Sequence, residues 1–188
     1  MPITRLDQQT ALVVVDLQKG IVSFPTVHPA AEVVRHAAAL AEVFRGRGLP
    51  VVLVTVDGMA PGRTEQSRRT GDFPPGWADL VPELNRQPTD HVLTKRTWGA
   101  FTNTDLEHYL KEQRITQIVI AGIATSIGVE STARCAYERG FHVVLAIDAM
   151  TDMSLDAHTN SISRIFPRLG ETAKTQEIIE LFATLGAR

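Results

Sequence analysis

The sequence is short of cysteine, of net charge and of long apolar runs, and each shortage excludes a class of protein. One cysteine, Cys135, excludes an internal disulfide and a cysteine-rich metal site within one chain. Lys+Arg 19 against Asp+Glu 21 gives a net charge of −2, so no basic field is available to hold nucleic acid. No apolar run could cross a bilayer, and residues 1–5 contain no signal core. We therefore predict a cytoplasmic protein without a membrane or nucleic-acid partner.

The remaining composition is that of an ordinary globular protein. Hydrophobic residues make up 44% of the chain and charged residues 21%, which argues against a disordered or fibrous class. A length of 188 residues fits one domain with one sizeable core. We therefore predict a single domain over residues 1–188.

Apolar runs typical of buried strands alternate with segments of helical periodicity. Strands are predicted over 11–15, 51–56, 91–94, 117–121, 141–147 and 171–173, and helices over 27–47, 104–113, 126–139, 155–169 and 175–185. Continuous apolar runs suit strands that are buried on both faces. The alternation predicts an α/β fold: a three-layer, Rossmann-like, doubly wound sheet, mainly parallel, with about six strands and helices on both faces.

Two residues at predicted strand ends form a chemically useful pair. Ligands of open α/β sheets bind at the carboxyl ends of the strands, where Asp16 ends the first strand and Lys95 the third. Lys95 would lower the pKa of Asp16 and hold it ionised, or would shift its own pKa if desolvated, and either group could transfer protons in a dry pocket. The alternative is an ordinary structural salt bridge.

The segment 122–126 follows the fourth strand and leads into a helix. Its backbone N–H groups could bind an anion or oxyanion, or Thr125 or Ser126 could simply cap the helix. The sequence contains neither a dinucleotide-binding glycine fingerprint nor a P-loop. We therefore predict no cofactor.

Four further side chains near the strand ends are candidates for a substrate pocket: Gln18, Phe24, Trp98 and Thr125. For the aromatic members the alternative is ordinary packing. The long segment 57–90 is rich in Gly, Pro and Arg, and we expect it to shape the pocket. Its arginines, at 63, 68 and 69, would either recognise a carboxylate or be solvated.

Three motifs in this order resemble those of the isochorismatase-like hydrolases, a superfamily that includes nicotinamidases and N-carbamoylsarcosine amidohydrolases. They lie at 13–18, 95–101 and 121–129. The resemblance implies a small-molecule substrate, a homodimer or homotetramer, and a pocket with an aspartate, a lysine and a cysteine. Asp16 and Lys95 match the first two. It also implies a cis peptide between Ile123 and Ala124, with the Ala124 N–H in an oxyanion hole that includes Gly128.

The cysteine position of the amidase branch falls on Gly128, which has no side chain to attack a carbonyl. Members with this replacement hydrolyse a vinyl ether, with the aspartate as proton donor, so the resemblance implies that role for Asp16. Those members carry a glutamine at Ala60 and a tyrosine at Ala124. The Asp-x-His zinc motif of other members is also missing, because Met59 follows Asp57 and Gly58, so we predict no metal.

Two alternatives remain open at this point. The first is an amidase with another nucleophile, for which Ser126 and Cys135 are the candidates. Ser126 lies two residues before the nucleophile position, and Cys135 lies about two helical turns beyond it, so we expect Cys135 to pack within its helix. The second alternative is a catalytically silent protein that binds small molecules on this fold.

Overall fold

The structure, a computed structural model, describes residues 3–65 and 73–185. Arg68 and Arg69 of the predicted loop lie outside the described residues. Within the described residues, no helix is both long enough and apolar enough to span a membrane.

The centre of the molecule is a six-stranded sheet whose neighbouring strands all run parallel. The strands are Thr10–Val15 (β1), Val51–Val56 (β2), His91–Lys95 (β3), Gln117–Ile123 (β4), His142–Thr151 (β5) and Glu171–Ala173 (β6). Their order is β3-β2-β1-β4-β5-β6. The first three strands are therefore added toward one edge of the sheet and the last three toward the other, with β1 and β4 paired at the centre. The predicted parallel, doubly wound α/β sheet is confirmed.

Alternate side chains of each strand enter two separate apolar cores, one on each face of the sheet. In β1, Leu12 and Val14 point into one core, while Val13 and Val15 point into the other. All six residues of β1 are buried. A strand covered on both faces needs apolar residues at every position, which is why the run is continuous rather than alternating.

Seven α-helices cover the sheet in the described part of the chain. They are Lys19–Val22 (α1), Ala30–Gly46 (α2), Leu106–Glu112 (α3), Glu130–Glu138 (α4), Leu155–Asn160 (α5), Phe166–Leu169 (α6) and Thr175–Leu185 (α7). A 3₁₀ turn lies at Pro82–Leu84. This turn and α1 were not predicted, because each is too short to show helical periodicity.

Two of the predicted helices contain a π-helical turn. The helix expected over 126–139 begins as a π turn at Thr125–Val129, and the one expected over 155–169 contains another at Ser161–Ile165. Pro167 follows the second turn and has no N–H to donate to the preceding turn, so the regular helix is interrupted there.

Strand β5 is longer than predicted and extends to the carboxyl edge of the sheet. Its pairing with β4 shifts register between Ile120 and Gly122, after which Ile123 pairs with Thr151. The added length brings the segment that begins at Asp152 beside the end of β4.

Candidate active site

A cavity of about 260 Å³ lies at the carboxyl ends of β1 to β4. Seven residues predicted from the sequence line it: Asp16, Phe24, Lys95, Trp98, Ile123, Ala124 and Gly128. These come from four separate parts of the chain. Parallel strands place all their carboxyl ends on one edge, so the sheet order brings these parts together.

Asp16 and Lys95 form a buried ion pair at the base of this cavity. Lys95 Nζ donates to Asp16 Oδ2 at 2.7 Å and to the Thr97 carbonyl oxygen at 3.1 Å. Only 5% of Asp16 and 2% of Lys95 is exposed. The backbone of Asp16 is left-handed, with φ +53°, a conformation that aspartate tolerates better than most residues. This geometry turns the chain out of β1 immediately after its last strand residue.

Burial raises the pKa of Asp16 to about 6, even though the attraction of Lys95 lowers it. The second carboxylate oxygen, Oδ1, is buried without a hydrogen-bond partner among the described residues. A carboxyl group with this pKa exchanges its proton near neutral pH.

Gly128 lies directly against this carboxyl group. A Cβ atom built at Gly128 would lie 3.3 Å from Asp16 Oδ2 and 3.0 Å from Val15 Cγ1. Any side chain here would therefore project beside the Asp16 carboxylate. Because the residue is glycine, the backbone itself forms that part of the cavity wall.

The turn that carries Gly128 is held by polar contacts at both ends. The peptide bond between Ile123 and Ala124 is cis, as the resemblance implied. The buried Asp152 carboxylate accepts a hydrogen bond from the Ser126 N–H at 2.7 Å. At the far end, the Thr132 hydroxyl donates to the Gly128 carbonyl oxygen at 2.7 Å.

Thr132 also connects this turn to the lysine segment, because its hydroxyl accepts a 3.1 Å hydrogen bond from the Ala100 N–H. The two segments that carry Gly128 and Lys95 are therefore positioned relative to each other by one side chain. Thr132 lies three residues beyond the 121–129 motif, and the sequence analysis assigned it no role.

Two predicted pocket residues, Gln18 and Thr125, are not among the lining residues. The buried Gln18 amide instead spans the end of β2, accepting from the Val56 N–H at 2.7 Å and donating to the Val56 carbonyl at 2.9 Å. Thr125 is buried and shares a 2.8 Å hydrogen bond with His158 Nδ1. Both side chains turn away from the cavity because backbone or imidazole partners satisfy them there.

Aromatic residues missed by sequence reasoning form much of the cavity wall. Phe73 and Trp77 both line it, with their rings stacked at 3.9 Å between centroids. Trp77 packs so closely on Gly20 that a Cβ there would lie 2.1 Å from the indole. The only signal in the sequence was an aromatic pair within a segment rich in Gly and Pro.

The alternative nucleophiles lie elsewhere. Cys135 is on α4 and packs, partly buried, against one of the two apolar cores. Neither Cys135 nor Ser126 lines the cavity. The expectation that Cys135 packs within its helix is confirmed.

Asp57, which follows β2, is paired with a residue that follows β3. Asp57 accepts a 3.0 Å hydrogen bond from the exposed Arg96 guanidinium. Within the described part of the chain, no group of three or more His, Cys, Asp or Glu side chains could hold a metal ion.

A buried carboxyl–ammonium pair in an apolar cavity, at the carboxyl edge of a parallel sheet, defines an α/β protein with a small-molecule site. The Isochorismatase domain family model matches residues 10–177. The chain therefore belongs to the isochorismatase family, and it is a hydrolase of that family.

Individual relatives support the assignment. The chain is 43% identical over 178 residues to the uncharacterised isochorismatase family protein YecD of Escherichia coli O157:H7, covering 90% of this chain and 94% of that protein. An isochorismatase family protein from Burkholderia thailandensis has a solved structure with a TM-score of 0.92 and 41% identity, covering 95% of this chain and 98% of that one. The N-carbamoylsarcosine amidase structure from Thermoplasma acidophilum gives a TM-score of 0.76 at 26% identity, covering 91% and 99%.

Proposed function

We propose that this hydrolase cleaves a small molecule by proton transfer from Asp16, with assistance from Lys95 and without a cysteine nucleophile. The bond that it cleaves is a vinyl ether or a related bond. The observation that carries the proposal is the Asp16 carboxyl group, whose pKa is raised to about 6 although Lys95 lies 2.7 Å away. An acid that must give up a proton near neutral pH requires a pKa in this range.

The proposed reaction begins with the protonated Asp16. Its proton passes to the terminal carbon of the enol ether, whose double-bond electrons form the new C–H bond and leave an oxygen-stabilised cation. Water adds to this cation and returns one proton to the Asp16 carboxylate. The resulting hemiketal breaks its C–O bond to release a carbonyl compound and an alcohol, so the net reaction consumes one water.

Lys95 has a positioning and electrostatic task in this proposal. Its ammonium group holds Oδ2 of Asp16, while Oδ1 has no hydrogen-bond partner among the described residues. It also stabilises the carboxylate that remains after the proton has been transferred. The backbone at Ile123, Ala124 and Gly128 lines the same cavity and contacts the oxygen of the substrate.

Gly128 argues against the covalent amidase alternative. A nucleophile attached at this position would stand beside Asp16, where a Cβ lies 3.3 Å from Oδ2. Glycine offers no such group, and Ser126 and Cys135 lie outside the cavity lining. The remaining alternative is a non-catalytic binding protein. Turnover of any substrate excludes this alternative, and binding without turnover supports it.

The experiment compares wild type, Asp16→Asn and Cys135→Ala on a panel of aryl vinyl ethers and on a panel of amides. We expect vinyl-ether turnover by the wild type, a loss of about 10²–10⁴-fold in kcat for Asp16→Asn, and little change for Cys135→Ala. Amide cleavage that disappears in Cys135→Ala contradicts the proposal. Full activity of Asp16→Asn on vinyl ethers contradicts it equally.

The family resemblance also supports self-association into a homodimer or homotetramer, and the sequence features support a cytoplasmic location. We propose that the partner of the cavity is a small-molecule substrate and that no cofactor is needed, because the proposed steps use only Asp16, Lys95 and water.

A further inference from the structure

We infer that the substrate of this cavity is a neutral, planar, mainly apolar molecule of about one ring, and that the site discriminates against carboxylates while Asp16 is ionised. The inference rests on the proposed hydrolase site and specifies which class of molecule that site accepts. Three independent features support it: the charges, the walls and the size of the cavity.

The charged groups that line the cavity neutralise each other. Among the described lining residues these groups are Asp16 and Lys95, which are paired at 2.7 Å and almost fully buried. Lys95 is further occupied by the Thr97 carbonyl oxygen. An anionic ligand would therefore find no unpaired cation in this described lining, and burying an unpaired charge is costly.

The Asp16 carboxylate adds to this discrimination. When Asp16 is ionised, as it is at pH 8, it repels a carboxylate bound in the cavity. Protonation of Asp16 leaves the Lys95 ammonium without its counter-charge, so the discrimination against anions belongs to the ionised form.

The walls of the cavity suit a flat apolar ligand. Phe73 and Trp77 stack to form one wall, while Phe24 and Trp98 stand at the cavity with 43% and 63% of their surfaces exposed. Met59 and Met153 also line the cavity and are exposed. Clustered exposed apolar side chains commonly mark a binding site, and these would be covered by an aromatic ring.

The volume suits a ligand of about one ring with short substituents. At about 260 Å³, the cavity lies just below the range of ~300–1,000 Å³ that is usual for drug-sized ligands.

The test measures calorimetric binding of acetophenone and benzoate at pH 8. The two probes are both flat, equal in their number of non-hydrogen atoms and different in charge, and neither can be hydrolysed. We expect the wild type to bind acetophenone at least about tenfold more tightly than benzoate. In Asp16→Asn the Lys95 ammonium loses its carboxylate partner, so we expect the preference to reverse toward benzoate. Asparagine tolerates the left-handed backbone of Asp16, so this variant should keep the turn.

Two substitutions at exposed aromatic positions serve as matched controls. Trp98→Ala removes part of the cavity wall and should weaken binding of acetophenone by about tenfold, whereas Tyr137→Ala, on an exposed residue outside this cavity lining, should leave it unchanged. Benzoate binding to the wild type as tightly as acetophenone overturns the inference, and so does a failure of acetophenone to bind up to its solubility limit. Should Asp16→Asn fail to fold, the wild-type ratio decides alone.

Binding and turnover separate this inference from the proposed function. A wild type that binds acetophenone selectively but hydrolyses no vinyl ether contradicts the proposed function and supports the substrate class. A wild type that hydrolyses vinyl ethers but prefers benzoate contradicts only the substrate class.

Discussion

At the scale of single residues, the properties of Asp16 come from its surroundings. Its carboxyl group is shielded from water and also touches an ammonium group, two effects of opposite sign on its pKa. Burial is the larger effect, so the pKa is raised to about 6. The ion pair therefore does not keep Asp16 permanently ionised, and the Asp16 carboxyl group can take part in proton transfer.

The pH dependence of the reaction follows from this value. A general acid acts only in its protonated form, so kcat/KM of the wild type should be constant well below pH 6 and fall about tenfold per pH unit above it. A pH–rate profile with an uncharged substrate measures this directly.

His158 provides the control, because it is a buried titratable side chain that is hydrogen-bonded to Thr125 of the turn, and burial lowers its pKa. His158→Gln should keep the inflection near pH 6. Activity that rises with pH through this region, or an inflection that disappears in His158→Gln, contradicts the assignment of the acid to Asp16.

The sequence predicted Asp16 and Lys95 because ligands of open α/β sheets bind at the carboxyl ends of the strands, where both residues lie. It could not place Gln18, which also ends a strand. Its amide binds the backbone of Val56 on the neighbouring strand, a contact across 38 positions of sequence. Which of two polar residues at a strand end faces a cavity depends on how the chain turns after the strand, and here the turn is made by the left-handed backbone of Asp16.

At the scale of elements, the link between β4 and α4 is the part of the site that most depends on its supports. The Asp152 carboxylate accepts hydrogen bonds from the N–H groups of Ser126, Met153 and Ser154, at 2.7, 2.8 and 3.2 Å. It therefore ties the turn that carries Gly128 to the segment that follows β5.

Substitution of Asp152 should affect both stability and activity. Asp152→Asn removes the charge and part of the acceptor capacity, so we expect the free energy of unfolding to fall by about 1–3 kcal/mol and kcat to decrease. Urea unfolding and steady-state kinetics measure the two effects. The same chemical change at Asp79, in an exposed ion pair with Lys19, should alter stability by less than about 0.5 kcal/mol. Equal effects of the two substitutions would contradict the bracing role of Asp152.

Helix boundaries were predicted less well than strands for a local reason. The uninterrupted apolar periodicity of 126–139 and 155–169 indicates one helix each, yet both contain a π turn. Each π turn spans five residues, too few for a change of period to be visible within a longer apolar pattern.

At the scale of the whole molecule, the parallel sheet assembles the site from distant segments. Asp16 and Lys95 are separated by 79 positions and meet because β1 and β3 flank β2 in the same direction. The single-domain organisation over residues 1–188 remains a prediction, as does self-association.

Self-association has a direct measurement. From the family resemblance we expect light scattering after gel filtration to give the mass of two or four chains, unchanged on tenfold dilution. Exposed apolar side chains outside the cavity lining, such as Tyr137 and Leu155, are available for contact with a second copy. The mass of one chain at micromolar concentration contradicts this prediction.

By itself, the sequence determined the parallel α/β sheet, the positions of Asp16 and Lys95, and the glycine at position 128. These follow from local patterns: continuous apolar runs, charges at their ends and the absence of a side chain. Only the tertiary structure decided the raised pKa of Asp16, the aromatic wall of Phe73 and Trp77, and the exclusion of Gln18 from the cavity. Burial and neighbouring charge depend on segments far apart in the chain, and these meet only when the sheet has formed.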